Sequence, residues 1–291
     1  MQSEPPHFLV CGGCHFDRHL HLFDDPLMGR TNPASQQTRT GGVAANIARH
    51  LAARGADVEF LGVQPPSDLA LMDSYLRADG VRPHLLPLDG EVPGYAAIIS
   101  PEGELVVGAA AMSLYDKVDA SLFLTALEYG NTPLVLDANF PPETLTALAN
   151  ALDRDRPLFA AATSIAKVDR FAGCLGRLDA LVLNRGEAAM LTDDRPVAEM
   201  AGMLAMRLRP AGFVLVSDGG GEAALTSGGS CVVAKPPAVH LANVNGAGDA
   251  MAAALFWGLV AEAETGLAAR LDHALTAGAD FAAGNPGERS R

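Results

Sequence analysis

The sequence predicts an α/β fold in which a mostly parallel β-sheet lies between two layers of helices. Short apolar runs alternate with stretches rich in alanine and leucine along nearly the whole chain. Such alternation over this length is typical of a parallel sheet covered on both faces. With 49% hydrophobic and 19% charged residues among 291, the composition is that of a globular protein with a full core.

Glycine and proline residues mark where the predicted strands and helices begin and end. The first strand, 8–11, runs into a glycine turn, and the first helix, 43–54, stops at Gly55. A proline lies in the first turn of the helix predicted at 142–152. The other predicted strands are 58–63, 134–136, 158–161, 180–183 and 213–216, and the other predicted helices are 70–78, 164–175, 186–192, 197–208, 247–262 and 267–284.

Two segments break the alternation and predict a second, smaller sheet. Residues 15–40 are rich in polar and turn residues, and residues 91–113 are typical of a β-hairpin turning at 101–103. We expect both segments to form a β lid over the carboxyl ends of the strands, where parallel sheets bind ligands. The chain 1–291 is then a single domain with a lid.

Charge and hydropathy exclude several classes of partner. The net charge is -13, and the 21 basic residues are scattered rather than clustered. We therefore expect no nucleic-acid partner, since duplex binding requires a basic patch. The amino terminus lacks a basic region followed by an apolar run, and no apolar run is long enough to cross a bilayer. We expect a cytoplasmic protein without a membrane partner.

The four cysteines, with no leader sequence, predict free thiols in a reducing compartment. Cys11-Gly12-Gly13-Cys14 has the spacing of a redox pair or of half a zinc site. The sequence holds no second pair of this kind, and the motif ends a strand rather than opening a helix. We interpret it as a turn of small residues at a strand end.

The segment from Asn243 to Asp249, followed by an alanine-rich helix, is the most informative one. The small residues Gly246, Ala247 and Gly248 allow backbone N–H groups to approach an anion, and the helix start adds about half a positive charge. Asp249 in the first turn can accept a proton from an attacking hydroxyl. A glycine turn with Asp249 starting a helix explains the same residues.

Three further segments have both a functional and a plain structural interpretation. Gly41-Gly42 precedes a helix in which Asn46 can bind sugar hydroxyls, or they form a turn before a core helix. Asn184 to Glu187 offers a carboxylate to a ligand, or it is a common helix start. The glycine turn at 217–221 gives a ligand access to the backbone, or it is a tight hairpin.

Taken in order, these segments resemble the ribokinase-like (PfkB) family of carbohydrate and nucleoside kinases over about residues 8–284. Gly246 to Asp249 is similar to the end of its D-T-x-G-A-G-D signature, with Asn243 in place of the first Asp. Asn184 to Glu187 is similar to its N-x-x-E motif. The resemblance implies a ribokinase-like three-layer α/β/α fold, ATP and Mg²⁺ as cofactors, and transfer of the γ-phosphate to an alcohol.

The resemblance also implies three groups of site residues. The catalytic group is the base Asp249 with the anion hole Gly246, Ala247 and Gly248. The substrate group is Asp17, Gly41, Gly42, Asn46, Tyr95 and Asn139. The nucleotide group is Lys167, Asn184, Glu187, Ser217, Gly219, Gly221 and Asn245, with Glu187 acting on Mg²⁺ through water. Lys167 is explained equally well as a helix-surface lysine.

Several stretches look like the pseudouridine kinases within this family, among them 31–33, 137–141, 163–167 and 183–188. They imply transfer to the 5′-hydroxyl of a ribonucleoside, with pseudouridine first. Ala111 stands where that subgroup usually has Asp, and 64–68 departs from the family's acidic turn. A ribokinase, a fructokinase, an inosine or adenosine kinase, and an inactive ligand-binding homologue are the alternatives. The resemblance further implies a homodimer formed through the lid and a monovalent cation such as K⁺.

Overall fold

The computed structural model describes residues 4–127, 130–240, 245–262 and 264–284. The strands are β1 (His7–Cys11), β2 (His15–Leu22), β3 (Ala34–Gly41), β4 (Asp57–Gln64), β5 (Arg82–Pro87), β6 (Gly94–Ile99), β7 (Leu105–Ala111), β8 (Leu134–Asp137), β9 (Leu158–Ala161), β10 (Ala180–Asn184), β11 (Phe213–Ser217), β12 (Ala223–Ser227) and β13 (Ser230–Ala234). The α-helices are α1 (Val43–Ala53), α2 (Leu69–Ala78), α3 (Ser121–Leu127), α4 (Pro142–Ala151), α5 (Arg185–Leu191), α6 (Val197–Ala205), α7 (Ala247–Ala261) and α8 (Leu267–Ala282).

A nine-stranded sheet in the order β13-β12-β11-β10-β9-β8-β1-β4-β5 forms the centre of the molecule. Strands β5 to β11 along this order pair in parallel, and β12 and β13 add an antiparallel edge. Alternate residues of each strand enter different hydrophobic clusters, Leu9 with helices α3 to α6 and Phe8 with α1, α2, α7 and α8. Burial on both faces explains the nearly continuous apolar strand sequences. The predicted three-layer α/β/α fold is confirmed.

The direction of the strand order reverses between β1 and β8. From β1 the chain builds β4 and β5 on one side, and it returns at β8 to build the other side. A crevice opens outside the carboxyl ends of the strands at such a reversal, and ligands bind there. Gly12 and Gly13 follow β1, and Asp137 ends β8, so these residues lie at the crevice.

A separate four-stranded sheet, the lid sheet, has the order β3-β2-β6-β7. Strand β2 pairs antiparallel with β3 and parallel with β6, which joins the two segments that the sequence singled out. In this register Asp17 lies opposite both Arg39 and Tyr95. The small second sheet is therefore confirmed, and it places Asp17 on a middle strand.

One predicted helix is wrong. Residues 164–175 form turns and a short 3₁₀ helix at Val168–Phe171, followed by another at Leu175–Arg177. Val168, Phe171 and Cys174 are buried at intervals of three, the repeat of a 3₁₀ turn, and Gly173 weakens an α-helix at this point.

The sequence analysis also missed β5, α3 and the β12–β13 hairpin. Strand β5 contains Pro83 and Pro87, which argue against a strand in sequence. The two prolines are tolerated because β5 is an edge strand of the large sheet, where a missing backbone donor costs little. In the described part of the chain, no helix combines the length and the apolar character that crossing a membrane requires.

Candidate active site

Asp249 lies in the first turn of α7, and this helix begins directly after Gly246, a glycine with a left-handed backbone. Gly246 has φ of 101°, and a Cβ at this position would meet the Phe281 ring of α8 at 3.0 Å. Only glycine adopts this conformation without strain. The Oδ2 atom of Asp249 accepts a hydrogen bond from Asn46 Nδ2 on α1 at 2.8 Å. The two family signatures therefore meet at one carboxylate.

The surroundings of Asp249 disfavour its charge. Burial raises the pKa of Asp249 to about 7, and the nearby carboxylates of Asp137, Glu187 and Asp17 act in the same direction. The hydrogen bond from Asn46 opposes this shift because it stabilises the ionised form. A carboxylate that titrates near neutral pH can both take up and release a proton under physiological conditions.

Asp137 ties the two sides of the crevice together. Its buried carboxylate accepts hydrogen bonds through Oδ2 from the backbone nitrogens of Gly13 and Ala44, both at 3.1 Å. The side-chain and backbone nitrogens of Asn139 donate to it at 2.7 and 3.0 Å. Burial raises the pKa of Asp137, and the four hydrogen bonds oppose that rise. The carboxylate thus fixes the turn after β1, the start of α1 and the end of β8.

Asp137 belongs to the 137–141 stretch, but the sequence analysis did not predict it as a site residue. The available signal was a carboxylate directly after the buried run Leu134–Leu136, at a strand end facing the crevice. Arg170 was missed as well. Its Nη1 donates to the Asn139 carbonyl oxygen at 2.7 Å, and its Nη2 pairs with Asp116 at 2.9 Å.

Asn139 is buried, and both ends of its amide are bound within the protein. Nδ2 donates to Asp137, while Oδ1 accepts from Lys167 Nζ at 2.8 Å. Lys167 therefore turns into the site, which favours its functional interpretation over that of a surface lysine. Burial lowers the pKa of Lys167, and the charge of Asp137 acts against that decrease. Asn139 is thus buried against Lys167 and is not exposed at the surface of the site.

The predicted substrate residues converge where the lid sheet meets α1. A Cβ on Gly41 would collide with the Asp17 carboxylate, and a Cβ on Gly42, which has φ of 101°, would collide with the Gly13 carbonyl oxygen. Both glycines are thus required for close packing. His15, missed in the sequence, places its Nε2 atom at 3.2 Å from Asp17 Oδ1.

Tyr95 lies beside Asp17 in the lid register, and its ring covers Gly108 on β7. The ring is partly exposed. The hairpin that carries Tyr95 is present as predicted, and a contact with a substrate base stays a prediction.

The N-x-x-E segment forms a reciprocal helix cap. Asn184 Oδ1 accepts from the Glu187 backbone nitrogen, and Glu187 Oε2 accepts from the Asn184 backbone nitrogen, both at 2.9 Å. Burial raises the pKa of Glu187, and the hydrogen bonds from Asn184 oppose that rise. The helix-start interpretation is correct as structure. The charge of Glu187 also opposes the ionisation of Asp249, so the two carboxylates interact electrostatically.

The predicted nucleotide turn begins at Ser217, which pairs with Asn184 in the neighbouring strand. Cβ atoms built on Gly219, Gly220 and Gly248 would meet nothing within 4 Å, so open space adjoins these backbones. A Cβ on Gly221 would meet the Asp218 carbonyl oxygen at 2.9 Å, which closes the turn tightly.

Two predicted positions flank this region. Asn245 is exposed just before Gly246. Asn243, which replaces the first Asp of the signature, lies outside the described residues.

The C-x-x-C motif does not have the properties of a redox pair. Cys11 and Cys14 are buried free thiols. Burial raises the pKa of Cys14 to about 12 and raises that of Cys11 as well. Thiols held in the protonated form are poor nucleophiles and poor metal ligands. Within the described ranges, no group of three or more Cys, His, Asp or Glu side chains has a metal-binding arrangement.

Comparison with known proteins identifies relatives of the whole chain. Residues 23–285 match the model of the pfkB family carbohydrate kinases. A 1-phosphofructokinase from Rhodobacter capsulatus is 30% identical over 265 residues, covering 84% of this chain and 81% of the relative.

Solved structures share the fold over nearly the full length. A carbohydrate kinase from Agrobacterium tumefaciens superposes with a TM-score of 0.81 at 29% identity, covering 94% of this chain and 90% of its own. Ribokinase from Thermotoga maritima superposes with a TM-score of 0.77 at 17% identity, and the match covers 95% of this chain and 93% of the ribokinase. Phosphofructokinase-2 from Escherichia coli, solved with fructose-6-phosphate, superposes with a TM-score of 0.78 at 16% identity, and the match covers 97% of this chain and 96% of that enzyme. From the family match, its span and the convergence of the two signatures at Asp249, the chain belongs to the pfkB family of carbohydrate kinases.

Proposed function

We propose that this chain transfers the γ-phosphate of ATP to a hydroxyl of a small sugar-containing substrate, with Asp249 as the general base. The observation that carries the proposal is the position of Asp249 at the start of α7, beside a turn of small residues and with a pKa of about 7. General-base catalysis is most effective when the pKa of the base lies near the working pH. The helix start adds favourable potential for an anion.

The residues present fit ATP and Mg²⁺. Open space beside Gly219, Gly220 and Gly248 lets phosphates approach the backbone. Glu187 supplies a carboxylate for a hydrated metal, and Lys167 supplies an ammonium group at the same crevice. When bound, ATP supplies the transferred phosphoryl group, and Mg²⁺ neutralises charge that develops on it.

The proton path lies within the chain itself. Asp249 takes the proton from the attacking hydroxyl, while Asn46 holds its Oδ2 atom by a hydrogen bond of 2.8 Å. Backbone N–H groups of 246–248 stabilise the negative charge that grows on the transferred group. The lid sheet excludes water, which would otherwise accept the phosphoryl group.

For the substrate we propose a ribonucleoside phosphorylated at its 5′-hydroxyl, with pseudouridine first. The resemblance of 31–33, 137–141 and 163–167 to pseudouridine kinases supports this choice. Asp17 adds to the support, since a carboxylate can accept hydrogen bonds from two vicinal hydroxyls, as a ribose provides. Tyr95 lies in the adjacent strand and can stack on a base from the lid.

A phosphorylated sugar is the second candidate, and the 30% identical 1-phosphofructokinase favours it. A substrate phosphate requires a cation on the acceptor side of the site. Arg39 lies opposite Asp17 in the lid register and can serve that purpose. Arg39→Gln should then raise KM for a phosphorylated sugar and leave KM for a nucleoside unchanged.

The test is ATP- and Mg²⁺-dependent ADP release with pseudouridine, uridine, inosine, adenosine, ribose, fructose and fructose phosphates as acceptors. Asp249→Asn should lose at least about a thousandfold in kcat. Asp73→Asn, which breaks a surface ion pair with Arg77 on α2, is the matched control and should keep full activity.

Each outcome separates one part of the proposal. Turnover of pseudouridine that requires Asp249 supports the substrate and the mechanism together. Turnover of another acceptor keeps the mechanism and discards the nucleoside. Full activity of the Asp249→Asn variant would refute the role of Asp249 as the general base. ATP binding without turnover of any acceptor would favour a ligand-binding protein.

We also propose that two copies associate through the lid sheets. Strand β7 is an edge of that sheet, and its Leu105 and Val107 are 59% and 51% exposed. An exposed apolar edge favours pairing with another chain. Val107→Lys should halve the mass measured by light scattering, whereas Leu71→Lys, equally exposed on α2 at 51%, should not. A monomeric wild-type protein would refute the proposal.

A further inference from the structure

The amide of Asn46 lies between two groups of opposite hydrogen-bonding character. Its Nδ2 atom donates to Asp249 Oδ2 at 2.8 Å, and its Oδ1 atom accepts from Arg49 Nη1 at 3.2 Å. A guanidinium can only donate, and an ionised carboxylate can only accept. Rotation of the amide by half a turn would place oxygen against carboxylate and NH₂ against guanidinium. While Asp249 is ionised, the two neighbours together therefore allow a single orientation of the Asn46 amide.

Arg49 is itself held by three elements. It lies on α1, three residues after Asn46 and hence on the same face of the helix. Its Nη1 atom also donates to the Thr40 carbonyl oxygen at the end of β3, at 3.3 Å. Its Nε atom pairs with Asp79 at the end of α2, at 2.6 Å, and both side chains are 34% exposed. A guanidinium fixed at several points can fix the amide that it contacts.

We propose that Arg49 is a positioning residue for the catalytic base, because it holds the Asn46 amide in the orientation that donates to Asp249. The inference rests on the proposed role of Asp249. It assigns to Arg49 a part in phosphoryl transfer although the side chain contacts the base only through Asn46. The family signature contains Asn46, whereas Arg49 was not singled out by any motif in the sequence.

The groups that face Asp249 explain why this orientation matters. Asp17 on β2, Asp137 on β8 and Glu187 on α5 are carboxylates that oppose its ionisation, and the α8 neighbour at this helix start is the apolar Phe281. On α1, the pKa of His50 is lowered to about 4 by burial, so this imidazole is neutral. Asn46 is the hydrogen-bond donor that counters these carboxylates.

The sign of the expected effect follows directly. The base acts in its ionised form, so activity is lost as pH falls through the pKa of Asp249. If Asn46 is no longer held, it donates for less of the time, the ionised form is less stable, and this pKa rises. The acid limb of the kcat/KM profile then moves to higher pH, while activity well above the limb recovers.

The experiment measures kcat/KM against pH for three variants of the full chain. Arg49→Met removes the donor and the charge while keeping a long apolar stem, and it should move the acid limb up by about 0.5–1 pH unit. Arg49→Lys keeps a donor and a charge and should restore at least half of that shift. Arg77→Met removes an exposed arginine paired with Asp73 on α2 and should leave the profile unchanged.

A merely structural role for Arg49 predicts a different result. The Met variant would then lose the same factor of activity at every pH with the limb unmoved, and this would overturn the proposal. Equal shifts in the Lys and Met variants would overturn it too. Asp249→Asn is measured alongside: if it is active, the base itself is wrongly assigned, and if it is inactive while the limb stays fixed, the positioning role alone fails.

If the Arg49→Met variant does not fold, a measurement on the wild-type protein tests the proposal instead. In a ¹⁵N-labelled sample, the Arg49 guanidinium protons and the Asn46 side-chain amide protons should both be protected from exchange with solvent, and the Asn46 amide shifts should follow the titration of Asp249. Rapid exchange of the Arg49 guanidinium protons, or Asn46 shifts that do not follow this titration, would overturn the proposal.

Discussion

Asp249 and Asp137 are two carboxylates of one site with different surroundings. Asp249 accepts a hydrogen bond from Asn46, and its pKa rises to about 7. Asp137 accepts four hydrogen bonds, from Gly13, Ala44 and Asn139, and lies deeper. Surroundings that differ in this way assign different tasks to chemically identical groups. Asp249 is suited to exchange a proton, and Asp137 is suited to hold backbone in place.

Asp249→Asn should stabilise the fold while removing activity. The folded-state pKa of Asp249 is raised from 3.8 to about 7, so the fold carries an unfavourable charge above pH 7. The variant should gain up to about 4 kcal/mol at pH 8, and the gain should shrink as pH falls through 7 and vanish below about 3, where the Asp249 carboxyl is protonated in both the folded and the unfolded states. Chemical denaturation at several pH values measures this. A gain that is the same at pH 4 and pH 8 would contradict the raised pKa.

Asp137→Asn should destabilise the protein and impair catalysis. An amide cannot accept all the hydrogen bonds that the carboxylate accepts, and its NH₂ group faces other donors. We expect a loss of about 3 kcal/mol in the free energy of unfolding, together with a lower kcat. Asp73→Asn on α2 is the control and should cost less than about 1 kcal/mol. An unchanged free energy of unfolding would show that the hydrogen bonds to Asp137 do not stabilise the fold as we expect.

At the scale of elements, local patterns predicted most strands and helices because burial on two faces leaves a strong apolar signal. The exceptions have local physical causes, such as the prolines of β5 and the three-residue spacing of buried side chains at 168–174. The contact between Asn46 and Asp249 joins residues 203 positions apart. No local pattern indicates such a contact. In the sequence, only the resemblance to the two family signatures indicated that the starts of α1 and α7 belong to one site.

Arg49, His15 and Asp137 show the limit of sequence reasoning within the site. Each contacts another residue of the candidate site, and no motif assigned it a role there. Their partners depend on how α1, the lid sheet and β8 meet in three dimensions. The motifs were enough to propose site residues, whereas the side chains that contact those residues became visible only in the structure.

The start of α7 offers a prediction at this scale. Gly246→Ala combines a strained left-handed backbone with a Cβ at 3.0 Å from the Phe281 ring. Because the turn cannot keep its shape, we expect kcat to fall at least tenfold and stability to fall by about 1–3 kcal/mol. Steady-state kinetics and thermal unfolding check both.

The matched control is Gly202→Ala in α6, where a new Cβ meets nothing within 4 Å. It should leave kinetics unchanged and gain up to about 1 kcal/mol, as alanine favours helix interiors. Normal kinetics for Gly246→Ala would contradict the need for glycine in this turn.

At the scale of the whole molecule, the site joins the large sheet, the lid sheet and both helix layers that flank the crevice. Asp137 comes from β8, Asn46 from α1, Asp249 from α7, Glu187 from α5 and Asp17 from the lid sheet. A ligand that contacts all of them stabilises the folded state as a unit.

The true acceptor should therefore raise the melting temperature of the inactive Asp249→Asn variant. At a concentration of a hundred times Kd, binding adds about 2.7 kcal/mol, which corresponds to a shift in melting temperature of roughly 4–5 °C for a chain of this size. Differential scanning fluorimetry with each acceptor, with and without ADP, measures the shift. An acceptor that is turned over by the wild type but causes no shift would contradict a pre-formed site.

The parallel pairing of β2 with β6 has a consequence for how the molecule folds. Asp17 pairs with Tyr95, and α1, β4, α2 and β5 all lie between these residues in the chain. Closing so long a loop costs entropy that only the contacts of the intervening elements can offset. The lid sheet should thus form after the β1–β4–β5 part of the large sheet. During refolding, nucleotide affinity would then return earlier than affinity for the acceptor, which depends on Asp17.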